Sequence, residues 1–292
     1  MESLIQQLIN GLTIGSIYAL VALGYTMVYG IIRLINFAHG EIYMLGAYMT
    51  YVAIKFLHLP FLLALVFAVI ACSIIGYMIE RVAYRPLRKS SRISALISAI
   101  GVSILLQNVV IYIFGADVIS FPEVTLLPNF NVGGVLIRGH QILIFVITIV
   151  CLVGLQYLVY HTDLGRAMRA VSADQEAASL MGINVNKTIA MTFVIGSALA
   201  AVAGSMVGVY YSTLAPAMGV SHGLKAFVAA VFGGIGLLPG AVLGGFLIGL
   251  IETLFIVLGY SLWREAVVYS ILILILVVKP TGLLGKKGGV KV

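Results

Sequence analysis

Apolar runs alternate with short polar connections along the whole chain. Residues 4–32, 61–79, 93–114, 141–160, 189–211 and 263–278 each read as one helix, because a helix needs about 20 apolar residues to cross the hydrocarbon. Barrel strands would be about half as long and would alternate in polarity. A further run resumes after a break at residues 33–48 and continues to about residue 57, and another follows Pro239. The pattern predicts an all-α polytopic membrane bundle forming a single transmembrane domain over residues 1–292. It has about eight transmembrane helices plus a re-entrant or broken Gly-rich segment.

Small-residue steps refine this picture. Gly11 and Gly15 in the first run allow close helix contact and place that helix inside the bundle, and Gly204 and Gly208 in the sixth are another close-packing step. Residues 224–237 are too few to cross, and Gly233, Gly234, Gly236, Pro239 and Gly240 interrupt the helix at what would be mid-depth. Non-helical backbone survives there only against protein or a wet cavity. This break and the one at residues 33–48 lie at similar distances from the two ends, the pattern of an internal inverted repeat whose interruptions mark a central pathway.

Composition agrees: 62% of residues are hydrophobic and 9% charged, with a mean hydropathy of +1.15, far from the soluble norm of about a quarter charged. The net charge of +7 does not point to nucleic acid, since the basic residues are spread over the loops. Arg81, Arg85, Arg88, Lys89 and Arg92 make one connection cytoplasmic by the positive-inside rule, and Lys279, Lys286, Lys287 and Lys291 do the same for the C-terminus. The connection at residues 115–139, with Asp117 and Glu123, faces outward, and counting back puts the N-terminus outside. The first ten residues carry no Lys or Arg, so the first run reads as a retained membrane segment instead of a secretory signal. Cys72 and Cys151 fall inside apolar runs and read as buried structural thiols.

The longest strongly polar stretch, residues 161–188, lies between two apolar runs, and its centre reads as a short helix. Ser172 is a candidate N-cap, Gln175 closes a capping box, and Gly182 ends the helix in a left-handed conformation. Ala177, Leu180 and Met181 share a face, while Asp174 and Glu176 occupy the first turn, where the dipole favours negative charge. Two turns are unstable alone. Such a helix either folds back on its own bundle or docks on a partner.

Other candidate chemistry is sparse. Asn36, His39 and Glu41 form the densest polar set within apolar sequence; they either line a path or cap broken helix ends. Glu252 faces a cavity, pairs with Lys225, or meets headgroups near the outer end. The sequence contains no catalytic pattern, no metal-ligand spacing and no phosphate loop, so any ATP that drives the chain is bound by another subunit.

The strings NFAHGE (residues 36–41), ERVAYRPLR followed by LISAIG, and KAFVAAVFGGIGLLPGAVLGG (residues 225–245) resemble the LivH-type permeases of bacterial high-affinity branched-chain amino acid ABC importers over nearly the whole chain. Glu176, Ala177, Ala178 and Gly182 match the EAA-x-x-x-G loop of ABC importer permeases, although the usual I-x-L-P ending is replaced by INVNKT. The resemblance implies an inner-membrane subunit with no cofactor of its own. Its implied partners are a second, LivM-like permease, two cytoplasmic ATP-binding subunits and a periplasmic binding protein delivering leucine, isoleucine or valine. Relatives that carry urea or short amides leave the solute open, and a stand-alone channel or secondary carrier is the competing class.

Overall fold

The computed structural model describes residues 2–34, 36–88, 90–132 and 134–285. In chain order its helices are α1 (Glu2–Ile32), α2 (His39–Lys55), α3 (Phe61–Ile79), α4 (Arg92–Phe114), α5 (Gly139–His161), α6 (Asp163–Ala173), α7 (Gln175–Leu180), α8 (Val185–Tyr211), α9 (Met218–Gly233), α10 (Leu238–Val257) and α11 (Arg264–Val278). Four short strands, β1 (Ile119–Ser120), β2 (Phe130–Val132), β3 (Val135–Ile137) and β4 (Thr213–Leu214), make a β2–β3 hairpin and a β1–β4 pair.

Helices α1 and α8 form the centre. Their apolar windows are 83% and 72% buried, against 11% for α4 and α11 and 17% for α5. Small residues explain why α1 can sit there. Gly15 lies on the backbone of Gly245 and Phe246, and a β-carbon on Gly249 would meet the Gly15 backbone, so α1 and α10 pack at backbone distance. Gly204 is in similarly close contact with Tyr43 and Ala47 of α2. The first run is thus interior, as its small-residue step predicts, and the sixth is interior as well.

The two ends of the bundle are told apart by contacts. Arg33, just past α1, donates to the Ser172 carbonyl at 3.5 Å, Arg88 donates to Asn186 at 2.8 Å, and Leu283 N–H donates to the Phe232 carbonyl at 2.9 Å. Residues 80–88, 161–188 and 279–285 therefore share one face, the basic face. At the opposite end, the hairpin face, Gln6 accepts from Leu136 N–H at 2.9 Å and Ile119 pairs with Leu214. The N-terminal end of α1 lies on this hairpin face. Lys89, Gly133, Lys286, Lys287 and Lys291 lie outside the described residues.

An internal repeat organises the bundle. Helix α1 ends at Arg33 (φ 57) and α8 at Ser212 (φ 55), both left-handed without being glycine, a conformation uncommon for such residues. Each is followed by a short return, and the next helix starts from an alanine with right-handed backbone, Ala38 or Ala217. Pairing follows the same symmetry: α1 packs on α10 as α8 packs on α3, and α2 on α8 as α9 on α1. Helix α1 runs toward the basic face and α8 away from it, so the repeat is inverted.

Two sequence expectations change. Seven helices are long and apolar enough to cross among the described residues, fewer than the expected eight. The difference is α2, which has 17 residues and begins inside the bundle: its His39 touches Gly24, eight residues or about 12 Å before the end of α1. The broken segment also moves. Residues 218–233 form one continuous helix, and the Gly-Pro interruption is a turn at the basic face, where Gly236 approaches Gly30 and Gly234 approaches Thr281 and Gly285. Pro239 sits in the first turn of α10, where its missing N–H is harmless. The mid-depth interruptions are the starts of α2 and α9, beyond Arg33 and Ser212.

Candidate functional site

The starts of α2 and α9 meet. A β-carbon on Gly40 would overlap the Gly219 carbonyl, one on Gly219 would lie 3.0 Å from the Gly40 carbonyl, and one on Gly223 would lie 2.7 Å from Gly40 Cα. From this junction α2 runs to the hairpin face and α9 to the basic face. Their partly positive N-terminal ends therefore converge. Glu41, in the first turn of α2, puts its carboxylate there. Oε1 accepts from the Ser103 hydroxyl of α4 at 3.2 Å, while Oε2 lies against Gly219 with no hydrogen-bond partner among the described residues. A cavity of about 340 Å³ opens beside Glu41 and Ser103, walled by Tyr25, Ile100, Leu224 and Phe227.

Asn36 and His39 flank the same junction, both buried. Asn36 Oδ1 accepts from Ala38 N–H at 3.1 Å and from the Tyr84 hydroxyl at 3.0 Å, so its side chain shapes the turn into α2 and ties it to the end of α3. His39 packs edge-on to Tyr25 with ring centroids 4.6 Å apart. The structure thus groups Asn36, His39 and Glu41 and separates them from Gly233, Gly234, Gly236 and Gly240. Gly233 and Gly240 touch through backbone and close the α9–α10 turn. Gly236 instead borders a second cavity on the basic face with Arg169 and Ser172.

Glu252 belongs to a third place, nearer the hairpin face. Lys225 donates to its Oε1 at 2.9 Å and the Tyr18 hydroxyl to its Oε2 at 2.7 Å. Both the pairing with Lys225 and a cavity at Glu252 are present.

On the basic face, α6 and α7 form a projecting arm. Thr162 caps α6 by accepting from Gly165 N–H at 3.1 Å, and Gly165, Met168 and Val171 bury the inner side of α6 against the bundle. The expected cap on α7 is corrected. Ser172 is inside α6, donating to the Arg169 carbonyl at 2.9 Å, because the apolar spacing of Met168 and Val171 carries that helix through Ala173. Asp174 is extended and caps α7, accepting from Glu176 and Ala177 N–H at 2.8 and 3.0 Å. Gln175 becomes the first helical residue. Gly182 ends the element at φ 81. Ala178 turns inward and is buried, while Glu176 and Ala177 are exposed and Leu180 and Met181 are 89% and 83% exposed. Asp174 carries a local signal, its capping residue type, that the Ser172–Gln175 spacing outweighs; Ser103, Tyr18 and Arg264 carry none, since their partners lie 62, 234 and 12 positions away with no local spacing to connect them.

Near the arm, Arg88 pairs with the buried Glu80 and also donates to Asn186 at the start of α8. The end of α3 and the end of the arm are thereby joined.

Paired helical repeats of opposite orientation, with half-helices starting in mid-bundle and seven spanning-length helices, define a multi-pass membrane permease. Residues 7–277 match the family model described as branched-chain amino acid transport system / permease component, and the chain belongs to that family. It is 49% identical to the high-affinity branched-chain amino acid transport system permease protein BraD of Pseudomonas aeruginosa, over 97% of this chain and 96% of that one. It is 44% identical to the corresponding LivH protein of Escherichia coli (strain K12), over 97% and 96%. The ribose import permease protein RbsC of the same E. coli strain is 30% identical over 64% of this chain and 60% of its own length.

Proposed function

We propose that this chain is the membrane permease subunit of a bacterial ABC importer for leucine, isoleucine and valine. It lies in the inner membrane with its basic face in the cytoplasm, so the C-terminal segment is cytoplasmic and the N-terminus periplasmic. It pairs with a LivM-like second permease, takes its solute from a periplasmic binding protein, and is driven by two ATP-binding subunits that dock on residues 172–182. The chain itself binds no nucleotide.

The observation that carries the coupling role is the arm. A six-residue helix is too short to persist without help, yet it is capped by Asp174, stopped by Gly182, anchored by Ala178, and presents Leu180 and Met181 to solvent. Apolar side chains held outward on a fixed peg suit insertion into a partner's groove. A stand-alone channel has no use for such a peg.

Two measurements test the reading. Reconstituted with its partners, the assembly takes up leucine but not urea in an ATP-dependent way; uptake of urea alone overturns the solute assignment. The Ala177→Asp, Gly182→Pro double variant inserts normally but loses its ATP-binding subunits on co-purification. Undiminished retention overturns the docking role.

A further inference from the structure

Near the hairpin face, α9, α10, α11 and the end of α8 enclose a cavity of about 250 Å³ into which two cations and two anions project: Lys225, Arg264, Glu252 and Glu265. Lys225 Nζ lies 2.9 Å from Glu252 and 3.3 Å from Glu265, and Arg264 Nε lies 3.8 Å from Glu252. The Lys225 and Glu252 side chains are 5% and 4% exposed, and those of Arg264 and Glu265 46% and 52%. Val207, Ala215 and Met218 supply an apolar wall, with Tyr211, Ser221 and His222 as neutral polar lining.

A buried ion pair is a poor fastener, because desolvating both partners commonly cancels their attraction. This one is also bridged rather than closed. Lys225 holds two carboxylates at once, one fixed by Tyr18 and one, on Glu265, half in solvent. The four charges sum to zero and border empty space.

We propose that this cluster is a transient site for the zwitterionic head of an α-amino acid. The ligand carboxylate is taken by Lys225 and Arg264, the ammonium by Glu265 with Glu252, and the aliphatic side chain by Val207, Ala215 and Met218. Entry exchanges partners without stranding a charge: Lys225 gives up Glu265 for the ligand carboxylate, and Glu265 receives the ligand ammonium. A ligand with only one of the two charges makes only one of the two new ionic contacts while still disturbing the Lys225–Glu265 pair, and binds more weakly. The proposal rests on the amino acid transport reading above and adds to it a selection step within the membrane subunit.

Trp263, the only tryptophan of the chain, is next to Arg264 and provides a probe. The full chain in lipid nanodiscs is titrated with leucine, leucinamide (no carboxylate) and isovalerate (no amine), following its fluorescence. Leucine gives a saturable change, and the other two bind at least roughly tenfold more weakly, a difference of about one lost ionic contact. Lys225→Met removes the response. Should that variant fail to fold, Glu265→Gln at a half-exposed position decides, weakening leucine by roughly tenfold on the same ground. Absence of a leucine response, equal responses to all three compounds, or unchanged affinity in Glu265→Gln overturns the site. ATP-driven leucine uptake by the assembled wild-type importer is measured in parallel. Uptake without a fluorescence response sinks the subsite alone, and a response without uptake sinks the transport reading while the subsite stands.

Discussion

Gly40 and Gly219 hold each other close: a β-carbon on Gly40 would overlap the Gly219 carbonyl, and one on Gly219 would meet the Glu41 carboxylate first and the Gly40 carbonyl oxygen at 3.0 Å. They occupy matching positions in the two halves of the inverted repeat, each two residues beyond the alanine that precedes its helix. Two half-helices can therefore start at the same depth and leave in opposite directions. Their N-terminal dipoles converge on Glu41, whose first-turn carboxylate supplies the negative charge that such ends favour. This accounts for a buried carboxylate with a single hydroxyl partner. It also recasts the NFAHGE string as the sequence that builds the junction.

The first prediction concerns this contact. Gly219→Val is expected to lower the stability of the detergent-solubilised chain by about 1–3 kcal/mol or more, the usual cost of forcing carbons into packed space. Gly101→Ala, in α4 with nothing near its added carbon, should instead be neutral or stabilising by up to about 1 kcal/mol through helix propensity. Thermal unfolding of the two variants under identical conditions checks the pair, and equal shifts would contradict the junction.

Charge at the same point gives the second prediction. Glu41→Gln keeps the shape and the Ser103 contact and should fold. Glu41→Lys sets a cation against two positive helix ends and should not accumulate in the membrane. Comparable yields of the two variants would mean that the converging dipoles are not felt at Glu41.

Much of this architecture was legible in the sequence, and the reasons are physical. Hydrophobic length gave the spans, Gly11–Gly15 marked α1 as interior, and Gly204–Gly208 marked a close contact on α8, because small residues are what backbone-distance packing requires. The basic loops grouped on one face as the charge asymmetry required. The depth of the breaks was not legible. Gly233, Gly234, Gly236 and Pro239 are louder helix breakers than Arg33 or Ser212, yet they make a turn at the basic face, while the interior breaks are the starts of α2 and α9, reached after those two exposed, left-handed residues end α1 and α8. Propensity reads how easily a chain can bend, not where packing bends it. Similarly, Ser172 resembles a cap by spacing, but the apolar face of α6 extends that helix past it and leaves Asp174 to start α7. Of the candidate site, the pair Lys225–Glu252 could be entertained from sequence, whereas the bridging role of Glu265 depends on α11 returning beside α9.

A third prediction follows from Asp174. Replacing it with Ala removes the acceptor for two N–H groups and should cost the six-residue helix about 1 kcal/mol, enough to unwind an element this short. The bundle itself should keep its thermal stability, since α7 buries only Ala178. Asp174→Asn, also a good cap, should restore the helix. Binding of the ATP-hydrolysing subunits is expected to fall in the alanine variant and recover in the asparagine one. A loss shared by both would assign Asp174 a direct charge contact with the partner instead of a capping role.

The tie at the end of α3 supplies the fourth. Arg88 pairs with Glu80, whose side chain is 2% exposed, and reaches Asn186 with its other terminal nitrogen. Arg88→Met alone leaves a buried carboxylate without its counter-charge, and the expected loss is about 3–5 kcal/mol, as for other buried pairs broken on one side. Adding Glu80→Gln should recover most of that loss, because a neutral amide tolerates the site better than an unpaired charge. Stability measured in this two-residue cycle isolates the ion pair. ATPase activity stimulated by substrate then isolates the Asn186 contact, since the double variant regains stability but still lacks the link between the α3 end and the start of α8. If the stabilised double variant couples as well as the parent, the Arg88–Asn186 contact transmits nothing, and the proposed docking of the arm is left to account for the coupling.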